Sequence, residues 1–209
     1  MLKLRVLIAP IAALVAMVGA ATAAAPSVTL SATPTKVKYG AATILSGYVT
    51  PAAAGQTVTI QAHRCGEPNF GDIGTMTTSS TGGFDFSAGP ALNTTYRAES
   101  DGITSNVVRV NVTPRVALKK VAARKFRATL KAGLSFEGRY VVLQRLTRHG
   151  WLNVARITLT RSQQAPGSSD TITAGTKRVR IRHGVKVRAA MPAGVSHCYA
   201  RVASRAITS

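Results

Sequence analysis

The sequence predicts an all-β protein of two tandem antiparallel β-sandwiches that follow an N-terminal export segment. Apolar residues alternate with polar ones at a period of two, as where Val28 and Leu30 alternate with Ser27, Thr29 and Ser31. This pattern is typical of half-buried strands. Turn signals divide the chain into short runs, and no long stretch shows apolar residues at the 3.6-residue spacing of a helix.

The first 25 residues have the three parts of a secretory signal peptide. Lys3 and Arg5 form a positive start, an apolar run follows, and A-x-A cleavage motifs end at Ala23 and Ala25. A membrane anchor is the alternative, but the apolar run contains a proline and is shorter than the roughly 20 residues that span a bilayer. We therefore expect a secreted, extracellular protein that is released or held at a cell surface by non-covalent contacts.

An internal repeat indicates that the remaining chain forms two units. Residues 54–61 match residues 137–144 at an offset of 83, with a glycine near the start and a glutamine at the end of each segment. A second match lies further along, between residues 96–98 and residues 187–189, at an offset of 91. The order of the matches is conserved along the chain, which is the mark of a duplicated domain.

The repeat places the two units at residues 26–113 and 114–209, called the first unit and the second unit below. In the first unit, glycine and proline turn signals separate about seven short strands. That number of strands in 88 residues is typical of an antiparallel sandwich, in which the inner faces of two sheets form the core. The second unit shows the same alternating pattern.

Several segments of the first unit resemble bacterial immunoglobulin-like domains of secreted surface proteins. They are residues 27–34, Tyr39-Gly40 leading into residues 44–47, and residues 93–98. The resemblance implies an immunoglobulin-like sandwich in which Tyr96 forms a tyrosine corner at the start of strand F. It covers residues 27–113. In the second unit Val187 replaces this tyrosine, and the strand pattern and the repeat support the same fold there.

The positive charge of the chain is concentrated in the second unit. The formal net charge is +20, and residues 114–209 contain 20 Lys and Arg against only two acids, whereas residues 26–113 contain five of each sign. Net charge governs solubility, encounter and non-specific binding rather than fold. This asymmetry indicates an anionic partner, and the alternative is that the charge serves solubility alone.

Alternation of cations with apolar residues predicts which side chains face the partner. Residues 177–182 are expected to form a strand. Val179 and Ile181 would face the protein core, and the arginines would line the outer side of the strand at a spacing of roughly 7 Å. Two other basic strands show the same pattern. The candidate polyanion-binding residues are Arg178, Arg180, Arg182, Lys186, Arg188, Lys125, Arg127 and Lys131.

The expected partner is an anionic polymer of the cell envelope or an anionic lipid surface, and the first unit acts as a spacer or contacts another surface protein. Nucleic acid is disfavoured because the second unit has few aromatic residues for base stacking. Trp151 follows a predicted hairpin turn at His149-Gly150 and is either an exposed platform for sugar stacking or a core residue. We expect a monomer.

The two cysteines lie one in each unit, and an exported protein permits a disulfide between them. If strand direction alternates along each sandwich, Cys65 and Cys198 both face the linker between the units. The alternatives are free or intermolecular thiols, and a metal site that includes His63 and His197. The metal site is disfavoured because adjacent residues such as 197 and 198 point to opposite faces of a strand.

The sequence contains no recognisable catalytic constellation. Glu137 and Asp170 are the only carboxylates of the second unit, and no phosphate-binding or dinucleotide-binding glycine motif is present. We therefore expect no enzymatic activity, no cofactor and no metal. Two functional hypotheses remain, a binding or adhesion module with a basic second unit and a purely structural pair of stacked domains.

Overall fold

The computed structural model describes residues 24–164 and 166–209, and this part of the chain consists of strands and loops without a helix. The strands of the first unit are β1 Ser27–Val28, β2 Ser31–Thr33, β3 Lys36–Lys38, β4 Thr43–Thr50, β5 Thr57–Arg64, β6 Gly71–Thr77, β7 Gly83–Ala88, β8 Thr94–Ser100, β9 Ile103–Thr104 and β10 Val108–Thr113. The strands of the second unit are β11 Arg115–Ala122, β12 Lys125–Ala132, β13 Tyr140–Thr147, β14 Gly150–Thr158, β15 Arg161–Gln164, β16 Thr171–Arg178, β17 Lys186–Met191, β18 Val202–Ala203 and β19 Ile207–Thr208. The predicted all-β class is confirmed.

The first unit contains two sheets. In one of them β4 pairs with β1 and β2 and, on its other side, with β7. The other has the order β3-β10-β8-β5-β6, with β9 also paired to β8. All these pairs are antiparallel except β3 with β10.

The second unit also contains two sheets, and both are antiparallel throughout. One has the order β11-β12-β16-β15. The other has the order β14-β13-β17-β18. The short strand β19 also pairs with β17, at the opposite end of that strand from β18. Among the described residues, every strand pairing joins two strands of the same unit.

Burial along the strands follows the predicted period of two, which is consistent with β-sandwich packing. In β12, Phe126, Ala128, Leu130 and Ala132 are buried, whereas the residues between them are more exposed. Large side chains without solvent exposure come from both sheets of each unit, because each sheet has one inner face. They include Leu45, Val58, Ile60, Val110, Val112, Leu130, Leu143, Ile157 and Val187.

Two strand predictions need correction. The first unit has ten short strands rather than about seven. One of the additional breaks lies at Pro34, after which β3 leaves the sheet of β4 and pairs with β10. Proline lacks the N–H that a continuing ladder would need. In the second unit, β16 ends at Arg178, where its partner β12 begins at Lys125, so residues 179–185 have no ladder to extend and do not form a strand.

The predicted disulfide between Cys65 and Cys198 is confirmed, with a Cα–Cα distance of 5.3 Å. It joins the end of β5 to the segment after β17, across the boundary between the units. Backbone bonds accompany it, since the Asn93 N–H donates to the Cys198 carbonyl at 2.9 Å and the Ala200 N–H donates to the Val112 carbonyl at 2.7 Å. The two units are therefore joined by covalent and hydrogen-bonded contacts.

Residues 1–23 of the predicted signal peptide lie outside the described residues. Within residues 24–164 and 166–209, no helix is long and apolar enough to cross a membrane. Tyr96 lies in β8 and is buried, and burial raises its pKa. The tyrosine corner expected from the resemblance stays a prediction.

Candidate anion-binding surfaces

The outer side of the sheet β11-β12-β16-β15 carries cations in directly opposed pairs, and we call it the basic face. The register places Lys119 opposite Arg127 and Lys125 opposite Arg178. The buried residues of β12 face inward, so these cations face solvent. Cβ atoms of directly opposed residues lie about 5 Å apart, and like charges at that distance destabilise a sheet.

A third opposed pair, Arg115 and Lys131, lies at the end of the basic face that is nearest to the first unit. Lys131 forms an ion pair with Asp170, and Arg115 donates from Nε to the carbonyl of Tyr39 at 2.7 Å. The Tyr39 hydroxyl donates to Asp170 Oδ1 at 2.9 Å. This pair therefore contributes to the junction between the units and has less charge available for a ligand.

The pKa shifts at this junction have clear causes. The hydrogen bond from Lys131, followed by that from Tyr39, lowers the pKa of Asp170 below its ordinary value. Burial, followed by the hydrogen bond to Asp170, raises the pKa of Tyr39. Asp170 is therefore a carboxylate and Tyr39 a neutral donor at neutral pH, which is the pairing that their hydrogen bond needs.

The eight predicted polyanion-binding residues do not form one surface. Lys125, Arg127, Lys131 and Arg178 lie on the basic face. Arg180 and Arg182 are exposed in the segment between β16 and β17, whereas Lys186 and Arg188 lie in β17 of the opposite sheet. Within residues 177–182, Val179 and Ile181 pack against the core as predicted. The three arginines do not lie on one strand, however, because β16 ends at Arg178.

Trp151 lies one residue after the start of β14, and the predicted hairpin turn is confirmed by the pairing of Thr147 with Gly150. The guanidinium of Arg188 lies over the Trp151 ring at 4.1 Å from its centroid. Nε of Arg188 also donates to Oε1 of Gln144 at 2.9 Å. The tryptophan is thus a partly buried support for an arginine, and one face of its ring is already occupied.

Several residues of these surfaces cannot be recognised from alternation along the chain. The positions of Lys119 and Arg115 opposite β12 depend on the register between strands. Arg156, which lies over the Tyr140 ring at 4.6 Å, and Arg201 were missed because no alternating run surrounds them. A count of cations on the outward positions of every strand would have found Arg115 and Lys119.

Three of the residues that the sequence offers for metal binding or catalysis make other contacts, namely Cys65, Cys198 and Asp170. Sγ of Cys65 and of Cys198 and a ring nitrogen of His197 lie within 4.8 Å of one another, closer than the spacing argument implied. The two sulfur atoms are bonded to each other, however, which leaves the imidazole as the one free ligand of this cluster. Of the two carboxylates in the second unit, Asp170 is paired at the junction and Glu137 is exposed.

Comparison with known proteins adds no assignment, because no protein-family profile matches this chain and no curated protein shows significant similarity to it.

Proposed function

We propose that this chain is a secreted, non-catalytic binding protein of two immunoglobulin-like units, whose second unit holds an anionic polymer of a cell envelope. The strand order supports the fold assignment. When the strands of the second unit are lettered in chain order, with β18 and β19 together as G, its sheets are A-B-E-D and C′-C-F-G. These are the two sheets of an immunoglobulin-like sandwich.

The observation that carries the function is the opposition of like charges on the basic face. Lys119 with Arg127 and Lys125 with Arg178 are adjacent cross-strand pairs that have no acidic partner among the described residues. Each such pair costs up to about 1 kcal/mol of folding stability. A bound polyanion removes this repulsion, so the same arrangement that costs stability in the free protein favours binding.

The test compares two triple variants of the full chain that lose the same charge. Lys119→Gln, Arg127→Gln and Arg178→Gln together remove the centre of the basic face. Lys36→Gln, Lys38→Gln and Arg109→Gln together remove three exposed cations of the first unit. Retention is measured on immobilised poly(glycerol phosphate) at increasing salt concentrations, because exposed charge contacts weaken as salt shortens the Debye length.

We expect the basic-face variant to elute at clearly lower salt than the parent protein, with affinity reduced at least about tenfold, and the first-unit variant to elute close to the parent. Equal losses in the two variants would mean that total charge rather than the basic face drives retention. Absence of retention for the parent protein would favour the alternative, a structural spacer in which the disulfide and the junction hold two units in a fixed arrangement.

A further inference from the structure

The two units share a frame of hydrogen-bonded side chains on the outer side of one sheet. In the first unit, Arg97 Nε donates to Gln61 Oε1 at 2.7 Å, and Gln61 Nε2 donates to Asp72 Oδ1 at 2.9 Å. The guanidinium of Arg97 lies over the Phe70 ring at 4.4 Å. An arginine is thereby fixed by one amide and one aromatic ring.

The second unit repeats this frame with different end groups. Arg188 donates to Gln144, and Gln144 Nε2 donates to Asn153 Oδ1 at 2.8 Å. Trp151 takes the place of Phe70 beneath the guanidinium. The decisive change is that Asn153 stands where the first unit has Asp72, so the second frame keeps the acceptor oxygen but lacks the negative charge.

An open groove of about 480 Å³ lies beside the frame of the second unit, and we call it the Arg188 groove. Arg201 also lines it, so two guanidinium groups border the groove. The amides of Gln144 and Asn153 provide polar atoms, and Val142 and Ala190 provide an apolar floor. Its volume lies within the range of small-molecule sites, about 300–1,000 Å³.

The frame leaves the terminal amino groups of Arg188 available. Its one side-chain hydrogen bond to another described residue is made by Nε, and neither Arg188 nor Arg201 forms an ion pair in the described part of the chain. The ring of Trp151 and the amide of Gln144 restrict the guanidinium before any ligand arrives. A restricted arginine loses less entropy on binding and presents its planar donors in a fixed direction, which suits a carboxylate.

We propose that the Arg188 groove binds a uronic-acid unit of an acidic polysaccharide, with the sugar carboxylate at Arg188 and Arg201. The amides of Gln144 and Asn153 offer partners for sugar hydroxyls, and the apolar floor offers contact for the ring carbons. Nucleic acid is a poorer match, because Arg188 already covers one face of Trp151 and base stacking needs a free aromatic face. The groove lies on the sheet opposite the basic face, and the proposal does not depend on that face.

The chain's single tryptophan lies beneath Arg188, so its fluorescence reports on changes at the Arg188 guanidinium, which lines the groove. Hexagalacturonate is titrated into the basic-face triple variant of the full chain, so that binding at the basic face does not enter the comparison, with calorimetry as a second measurement. The fully methyl-esterified hexamer and a glycerol phosphate oligomer of equal length are tested in parallel. We expect saturable binding of hexagalacturonate, and at least tenfold weaker binding of the other two oligomers.

The sharpest variant is Asn153→Asp, which recreates the arrangement of the first unit. Because Asp72 already accepts the corresponding bond from Gln61, this variant should fold with an unchanged thermal midpoint while its affinity for hexagalacturonate falls at least tenfold. Arg201→Gln should weaken binding to a similar degree. The reciprocal control, Asp72→Asn in the first unit, should leave affinity unchanged.

The basic-face triple variant separates this proposal from the proposed function, since it should still bind hexagalacturonate through the groove. Parental affinity in Asn153→Asp would overturn the proposal. So would equal binding of the methyl ester, which lacks the carboxylate charge, or equal binding of the glycerol phosphate oligomer, which would make the site a general anion site. Absence of any signal with hexagalacturonate in both measurements would also overturn it.

Discussion

Oδ1 of Asn93 accepts a hydrogen bond from the backbone N–H of Val112 at 2.8 Å, and both residues are buried. The same asparagine also contacts the second unit, where its Nδ2 donates to the carbonyl of His197 at 3.2 Å. Its own carbonyl accepts from the N–H of Cys65 at 3.0 Å. The single residue Asn93 therefore makes hydrogen bonds to β10, to the disulfide-bonded Cys65 and to the second unit.

Replacing Asn93 by alanine should lower the free energy of unfolding by about 1–3 kcal/mol, because the buried N–H of Val112 would lose its partner. The measurement is urea unfolding of the oxidised protein. The matched control is Asn69→Ala, because Asn69 is exposed and makes no side-chain hydrogen bond to another described residue. A loss below about 0.5 kcal/mol in Asn93→Ala would contradict the role assigned to this side chain.

Removing the disulfide by the double substitution Cys65→Ser and Cys198→Ser should lower the free energy of unfolding by about 2–5 kcal/mol, since the bond closes a long loop in the unfolded chain. Every strand pairing in the described residues lies within one unit, so far-UV circular dichroism at 25 °C should keep the parental β signal. Unfolding is followed by urea titration with and without reductant. An unchanged free energy of unfolding after reduction would contradict this prediction, because the remaining junction contacts would then hold the units without the disulfide.

The junction around Asp170 should make stability depend on pH in the acid range. Its pKa is lowered in the folded protein by Lys131 and Tyr39, so its stabilising contribution is present above the ordinary carboxyl value of 3.8 and is lost as the pH falls through the lowered value. Unfolding measured from pH 5 to pH 2 should therefore show a smaller loss of stability in Asp170→Asn than in the parent. Tyr39→Phe, which removes one donor to Asp170, should show an intermediate loss, and identical curves for all three proteins would contradict this account.

Gly175 should tolerate no side chain. A Cβ atom at this position would lie 1.9 Å from the carbonyl oxygen of Thr158, where the chain passes from β14 toward β15. Backbone must move to admit it, so we expect Gly175→Ala to destabilise the protein by more than about 2 kcal/mol. Gly71→Ala is the control, because a Cβ there would meet no atom within 4 Å, and thermal unfolding of the two variants gives the comparison.

Sequence patterns predict the features of this fold that depend on residues close together in the chain, and they fail for features that depend on pairing between distant strands. The alternation around Phe126 and Leu130 predicts buried strand faces correctly, because inward and outward directions follow from neighbouring residues alone. Cys65 and Cys198 could be paired because they are the only two cysteines. The end of β16 could not be predicted, since it depends on where the partner strand β12 begins.

The candidate surfaces illustrate the same limit. Arg178 and Arg188 belong to similar basic, alternating segments, yet the fold places them on opposite sheets. The shared pattern predicts that both arginine side chains face outward, but it does not predict which sheet each strand joins. The repeat did include Gln61 with Gln144 and Arg97 with Arg188, but only the structure brings each glutamine to its arginine.

The position of the disulfide also determines how the protein would respond to a mechanical load. When the chain is pulled from the N-terminal side of Cys65 and the C-terminal side of Cys198, the force passes through the sulfur bridge and bypasses every residue between the cysteines. Strands β1–β5, β18 and β19 carry the load, whereas β11, β12 and β16 do not. The strands of the basic face would therefore bear no force while parts of both units extend.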